Sequence, residues 1–177
     1  SEECGQRFAR GNGVRAVVAA AGHGTRRLPA SRAIRKELFP IVDGDGVIKP
    51  AIQLIVEEAL DSGIEEICIV VSEGGDTAYR RFFSDPEPWL VEASRSKPEL
   101  HRQLEHIADM GNRITYVVQT EQKGYGDAVM RARDWAEGAP VLVMLGDHVY
   151  QSDSSTRCAR QAIEVFDAYQ APVSGVI

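Results

Sequence analysis

Four short apolar segments, each followed directly by polar or glycine-bearing residues, constrain the fold of this chain more than any other feature. They are Val14–Ala20, Ile67–Val71, Ile114–Val118 and Val141–Leu145. They are rich in β-branched residues, and their apolar positions are mostly consecutive, which is typical of strands covered on both faces. The sequence therefore predicts four buried strands.

Helical patterns lie between and after these segments, because apolar residues there recur three and four positions apart. These patterns cover Lys49–Ser62, Gly126–Ala136 and Ser154–Tyr169. We expect Asp153 or Ser154 to cap the last of the three helices. Between Asp85 and Gly111 the sequence is polar and contains proline, and one or two further helices outside the sheet are expected there.

Strands that alternate with helices predict an α/β fold, here a three-layer α/β/α domain of Rossmann-like character with a mainly parallel, partly mixed sheet. At 177 residues the chain has room for one domain with a sizeable core. We expect residues 1–13 to form a flexible arm and residues 14–177 to form the core. The final residues, Pro172–Ile177, begin another apolar segment, so we expect the core to be truncated at its C-terminal end.

The net charge, the apolar segments and the cysteines of the chain limit which partners and which cellular location are expected. The formal net charge is -6, from 20 Lys and Arg against 26 Asp and Glu, which favours neither nucleic acid nor an anionic membrane as a partner. No apolar stretch approaches the ~20 residues of a membrane helix, and no signal-peptide core is seen. The three cysteines are far apart and lack CxxC spacing, so we expect neither zinc nor disulfides, and a cytoplasmic location.

The first predicted strand leads straight into a glycine loop with the sequence AGHGTRR, residues 21–27. Its two glycines let the backbone approach a ligand, and the N–H groups of such a turn can hold phosphate oxygens. Neither a Walker loop nor a dinucleotide fingerprint is present, and a plain tight turn is the alternative. Clustered cations follow, which could neutralise a triphosphate or belong to a solvated basic loop. They are Arg26, Arg27, Arg32, Arg35 and Lys36.

Two more polar loops directly follow predicted strands. Gln119 carries an amide that can pair with the N3–H and a carbonyl of uracil, although a surface glutamine is the alternative. Asp147, next to Gly146, is a natural ligand for Mg²⁺, although it could instead cap a helix. Because ligands of open α/β sheets bind outside the carboxyl ends of the strands, we expect all three loops to converge at one edge.

The segment Gly22–Pro40, together with these loops, resembles the G-x-G-T-R-x-x-P…K…P signature of sugar-1-phosphate nucleotidyltransferases. It is most similar to the bacterial UTP–glucose-1-phosphate uridylyltransferases, and the resemblance covers residues 14–177. The resemblance implies that Arg26, Lys36 and Asp147 are catalytic and that Asp147 binds Mg²⁺. It implies a wider nucleotide-binding set: Ala19, Ala20, Ala21, Gly22, Gly24, Thr25, Gln119, Gly124, Tyr125 and Gly146.

The activity that this resemblance implies joins UTP to a sugar-1-phosphate, such as glucose-1-phosphate, and releases pyrophosphate. The sugar oxygen would attack the α-phosphorus in line, with no covalent protein nucleophile. The family's sugar-binding residues would lie beyond residue 177. Two alternatives stay open: a non-catalytic domain that senses a nucleotide or sugar, and a thymidylyltransferase that uses dTTP. A homo-oligomer is also left open.

The chain departs from the family pattern at a few positions. Relatives usually have Lys where this chain has Arg32, and Pro where it has Arg35. Arg35 therefore adds a cation beside Lys36. The segment Asp43–Gly46 looks like a small insertion before the first helix. His148 follows the candidate metal ligand, and we expect it to be a neighbour of the metal without binding it.

Overall fold

Strands and helices alternate along the part of the chain that the computed structural model describes, residues 13–175. The predicted arm lies almost entirely outside these residues. The strands are β1 (Arg15–Ala19), β2 (Pro40–Val42), β3 (Ile48–Pro50), β4 (Ile67–Ser72), β5 (Ile114–Gln119) and β6 (Val141–Leu145). The helices are α1 (Ala51–Asp61), α2 (Thr77–Phe82), α3 (Pro88–Ser94), α4 (Pro98–Gly111), α5 (Tyr125–Arg131), α6 (Arg133–Ala136) and α7 (Cys158–Tyr169).

The four predicted strands form one parallel sheet in the order β5-β4-β1-β6. β1 is central, with Val17 opposite Cys68 on one side and Val143 on the other. The chain builds outward from β1 through β4 to β5 and then returns to place β6 on the other flank. The strand order therefore reverses between β1 and β6, which is where open α/β sheets bind their ligands.

Helices cover both faces of the sheet, which confirms the predicted three-layer arrangement. On one face, Ala16, Val18 and Ile69 pack against residues of α1, α2, α4 and α7. On the other face, Val17 and Val70 pack against Ala128 of α5 and against Ala132, which follows α5. In α1, three fully buried aliphatic side chains each contribute about 1.5–3 kcal/mol to folding. They are Ile52, Ile55 and Val56.

The predicted helix over Lys49–Ser62 begins two residues later than expected, because Lys49 and Pro50 belong to a β-hairpin. β2 and β3 pair antiparallel, and the segment Asp43–Gly46 forms the turn between them. The Lys49 ammonium reaches back to Asp43 at 2.7 Å and also contacts Glu57 of α1 at 3.1 Å. These contacts fasten the hairpin to the body of the domain.

Two further helix predictions need correction. The segment Gly126–Ala136 is broken at Ala132 into α5 and α6. α7 starts at Cys158, and neither Asp153 nor Ser154 caps it; instead the Glu58 carboxylate of α1 accepts the backbone N–H of Ala159 at 2.8 Å. Across residues 13–175, the helices are all too short or too polar to cross a membrane.

Candidate functional site

The carboxyl ends of β1 and β6 meet closely. The backbone N–H of Gly146 donates to the carbonyl of Ala19 at 3.0 Å. A Cβ atom at position 146 would lie 3.0 Å from that oxygen and 3.1 Å from Cγ of Glu37, so a side chain there would displace the strand end. Ala20, whose Cβ would lie 3.1 Å from that added Cβ atom, is buried, and so is Ala21. Small residues thus keep this part of the sheet edge close-packed.

The glycine loop lies over the side chain of Lys36. Gly24 has φ of +66°, which favours glycine, and its carbonyl accepts a hydrogen bond from the Ser31 hydroxyl at 2.8 Å. Ideal Cβ atoms at Gly22 and Gly24 would lie 3.6 Å and 3.5 Å from the Lys36 chain. The loop therefore holds an ammonium group beneath an exposed backbone, a suitable arrangement for phosphate oxygens.

Lys36 and Asp147, both predicted as catalytic, are brought together. The Lys36 ammonium lies 3.0 Å from Oδ2 of Asp147, and the two side chains are only 13% and 18% exposed. Burial opposes ionisation of Asp147, but hydrogen bonds from Arg27 and Lys36 outweigh it and lower the pKa of the carboxyl below its usual range. Asp147 is therefore an anion at neutral pH.

The neighbouring arginines point to different places. Arg27 donates to Oδ2 of Asp147 at 2.6 Å, whereas Arg26 is exposed and makes no side-chain hydrogen bond or salt bridge with any of residues 13–175. Both lie in the short 3₁₀ turn Thr25–Arg27, where successive side chains are about 120° apart. The sequence motif indicated Arg26 and missed Arg27. Nothing in the cation cluster alone distinguishes the two.

Gln119 is 2% exposed, so the interpretation of it as a surface glutamine is wrong. Its amide nitrogen donates to the carbonyl of Gly124 at 3.1 Å and to the Asp127 carboxylate at 2.8 Å. The hydrogen bond from Gln119 is the main cause of the lowered pKa of Asp127. Tyr125, at the start of α5, is exposed. The amide of Gln119 thus fixes the loop after β5 at the same edge as the glycine loop.

A metal ion at this edge would depend on Asp147. Within residues 13–175, no group of three or more His, Cys, Asp or Glu residues is arranged to hold a metal. Mg²⁺ in phosphate-transferring sites commonly takes one or two carboxylates and completes its shell with water and phosphate oxygens. The site therefore fits a Mg²⁺ that arrives with a nucleotide. It does not resemble a closed protein cage.

Comparison with known proteins gives concordant results. Residues 15–86 and 79–177 match the family described as Nucleotidyl transferase. The chain is 41% identical over 162 residues to the UTP–glucose-1-phosphate uridylyltransferase YngB of Bacillus subtilis, covering 92% of this chain and 52% of that protein. It resembles a UDP-glucose pyrophosphorylase complexed with UDP-glucose, with a TM-score of 0.69 and 29% identity. That match covers 89% of this chain and 54% of the other. It also resembles a UTP-bound UGPase from Acinetobacter baumannii, with a TM-score of 0.73 and 28% identity. That match covers 89% of this chain and 54% of the other.

The similarity extends over nearly the whole chain but not over the whole of its relatives. The chain spans about half the length of the curated relatives it matches. The solved structures confirm the nucleotidyltransferase fold that the glycine-loop signature implies. Since the family match runs from residue 15 to residue 177, the chain belongs to the nucleotidyl transferase family.

Proposed function

We propose that the protein carrying this chain transfers a uridylyl group from UTP to a sugar-1-phosphate, glucose-1-phosphate in the first instance. The observation that carries the proposal is the meeting of Lys36, Asp147 and the glycine loop at the reversal point of the sheet, with Lys36 3.0 Å from Asp147. The names of the relatives support it, since they specify UTP, UDP-glucose or glucose-1-phosphate. The UDP-sugar and pyrophosphate are the products, and we propose the cytoplasm as the location.

The phosphates of UTP would lie against the exposed backbone of Gly22–Thr25, above the Lys36 ammonium. An oxygen of the sugar-1-phosphate forms a bond to the α-phosphorus while the bond to the β-phosphate bridging oxygen breaks, and pyrophosphate leaves with that electron pair. Lys36 and Arg26 would stabilise the negative charge that grows on the transferred and leaving groups. Mg²⁺ held by Asp147 would supply further charge neutralisation when bound.

Base recognition is proposed for the loop after β5. Both N–H donors of the Gln119 amide face acceptors of the protein, the Gly124 carbonyl and the Asp127 carboxylate. The amide oxygen is thereby oriented as an acceptor, which suits the N3–H of uracil. Thymine offers the same N3–H group, so this geometry supports a pyrimidine with that group and excludes neither UTP nor dTTP.

The test is a pyrophosphate-release assay on the complete protein with UTP, dTTP, ATP and GTP against a panel of sugar-1-phosphates. We expect UTP with glucose-1-phosphate to give the highest kcat/KM and Lys36→Met to abolish it. UTP binding without turnover for every sugar would instead support the non-catalytic alternative. A preference for dTTP would support the thymidylyltransferase.

A further inference from the structure

Glu37 is a fully buried carboxylate directly behind the site. Its Oε1 atom lies 3.1 Å from the Lys36 ammonium and accepts no hydrogen bond of good geometry from residues 13–175. Its Oε2 atom accepts a hydrogen bond from the hydroxyl of Tyr79 at 2.9 Å. Lys36 therefore lies between two carboxylates, the buried Glu37 and the partly exposed Asp147.

The contacts continue from Tyr79 to the end of β4. The Tyr79 hydroxyl accepts a hydrogen bond from Nε of Arg35 at 3.2 Å, and the guanidinium lies 5.5 Å from the centre of the Tyr79 ring. Nη2 of Arg35 donates to the Ser72 hydroxyl at 2.8 Å. Gly75 closes over this pair so tightly that a Cβ there would lie 2.6 Å from Nη2.

Burial and the charge of Glu37 raise the pKa of the Tyr79 hydroxyl, so it stays protonated and donates its hydrogen. A buried ion pair adds little to stability compared with apolar residues that fill the same volume. The contacts do, however, fix the position of Glu37 through Tyr79 of α2, which Arg35 connects to Ser72 at the end of β4. An ammonium paired with Glu37 is then held in one place, whatever contacts Asp147 makes.

We propose that Glu37 is a positioning residue for Lys36, held in place by Arg35 and Tyr79. It keeps the Lys36 ammonium under the glycine loop when Asp147 exchanges its protein partners for a cation, or when Lys36 exchanges Asp147 for a phosphate group. The role of Lys36 toward phosphate rests on the proposed function, but its position does not.

A chemical labelling experiment on the complete protein tests the position without any nucleotide. Pulsed reductive methylation, read by peptide mass spectrometry, compares the rate at Lys36 with that at Lys49, which is as buried and is also surrounded by carboxylates. We expect Glu37→Gln and Tyr79→Phe to raise the rate at Lys36 several-fold and to leave Lys49 unchanged. Tyr116→Phe is the matched control, because Tyr116 packs on the same side of the sheet and its hydroxyl bonds none of residues 13–175.

A binding experiment then tests the consequence for phosphate. Calorimetry with UTP and with uridine should show UTP affinity reduced roughly tenfold in Tyr79→Phe, the loss of one charge-linked hydrogen bond, with uridine unaffected. Unchanged methylation at Lys36 in both variants, or an equal effect of Tyr116→Phe, would overturn the positioning role. Failure of the wild-type protein to bind UTP would overturn the proposed function alone, because the methylation result would still stand.

Discussion

Replacing Asp147 by asparagine removes one negative charge and keeps the shape of the side chain. Asp147 accepts charge-assisted hydrogen bonds from Lys36 and Arg27. The Arg27 side chain is 42% exposed, so solvent and salt screen most of its contribution. The better-buried Lys36 pair dominates, and we expect the substitution to lower the free energy of unfolding by about 1–2 kcal/mol. The melting temperature of a domain of this size should fall by roughly 2–8 °C.

The pH dependence of this difference follows from the lowered pKa of Asp147. A carboxyl with a lowered pKa in the folded state contributes stability above its unfolded pKa of 3.8 and loses it as the pH falls through the folded value. Urea unfolding of the wild type and Asp147→Asn should therefore differ by a constant amount from neutral pH down to about pH 4. Below that the two should converge.

Turnover should respond far more strongly than stability. If Asp147 holds the cation that stabilises the transferring phosphate, its loss should lower kcat by ~10²–10³, measured as pyrophosphate release under saturating magnesium. The ratio of the two effects is the decisive quantity. Wild-type turnover in Asp147→Asn, or a stability difference that does not shrink as the pH falls below about 4, would refute the electrostatic assignment.

Three further outcomes are expected. Gln119→Ala should weaken UTP binding by roughly 1–3 kcal/mol, since it leaves polar groups of the loop after β5 unpaired. Calorimetry with UTP and ATP should show that the variant has lost the preference for a pyrimidine. Equal binding of ATP and UTP by the wild type would contradict this. Arg26→Met should lower kcat. Arg27→Met should tighten magnesium binding, measured by titration, because it removes a cation that competes for Asp147. The reverse pattern would exchange the roles of the two arginines. Lys49→Met should lower the melting temperature by several degrees, because it leaves the carboxylates of the hairpin turn and α1 facing one another.

The main features of the fold follow from local sequence patterns. Consecutive β-branched residues predicted the positions of all four strands correctly. The expected burial holds for the inner strands β1 and β4, whereas the edge strands β5 and β6 are partly exposed. The strands of the β2–β3 hairpin, by contrast, have three residues each. That is too short for periodicity to be recognised, and the charged turn Asp43–Gly46 suggested only an insertion.

Features that depend on tertiary contacts could not be predicted in this way. The start of α7 is set by Glu58, which is far away in sequence and accepts the N–H of Ala159. The burial of Gln119 depends on Asp127 and on the loop between them. In the sequence, Glu37 is one charged residue in a basic segment, and nothing there indicates that it is buried. Its burial is evident only from its hydrogen bond with Tyr79 in the folded domain.

The strand order separates the two proposed tasks of the site in space. The glycine loop follows β1 and the loop of Gln119 follows β5, with β4 between them, so the two loops start about 10 Å apart. A backbone turn can grip any triphosphate, whereas the amide of a single side chain chooses the base. Substitutions in the loop after β5 could therefore change which nucleotide is bound, while phosphate binding by the glycine loop stayed the same. Such a layout lets one ancestral scaffold diversify its substrates by local change.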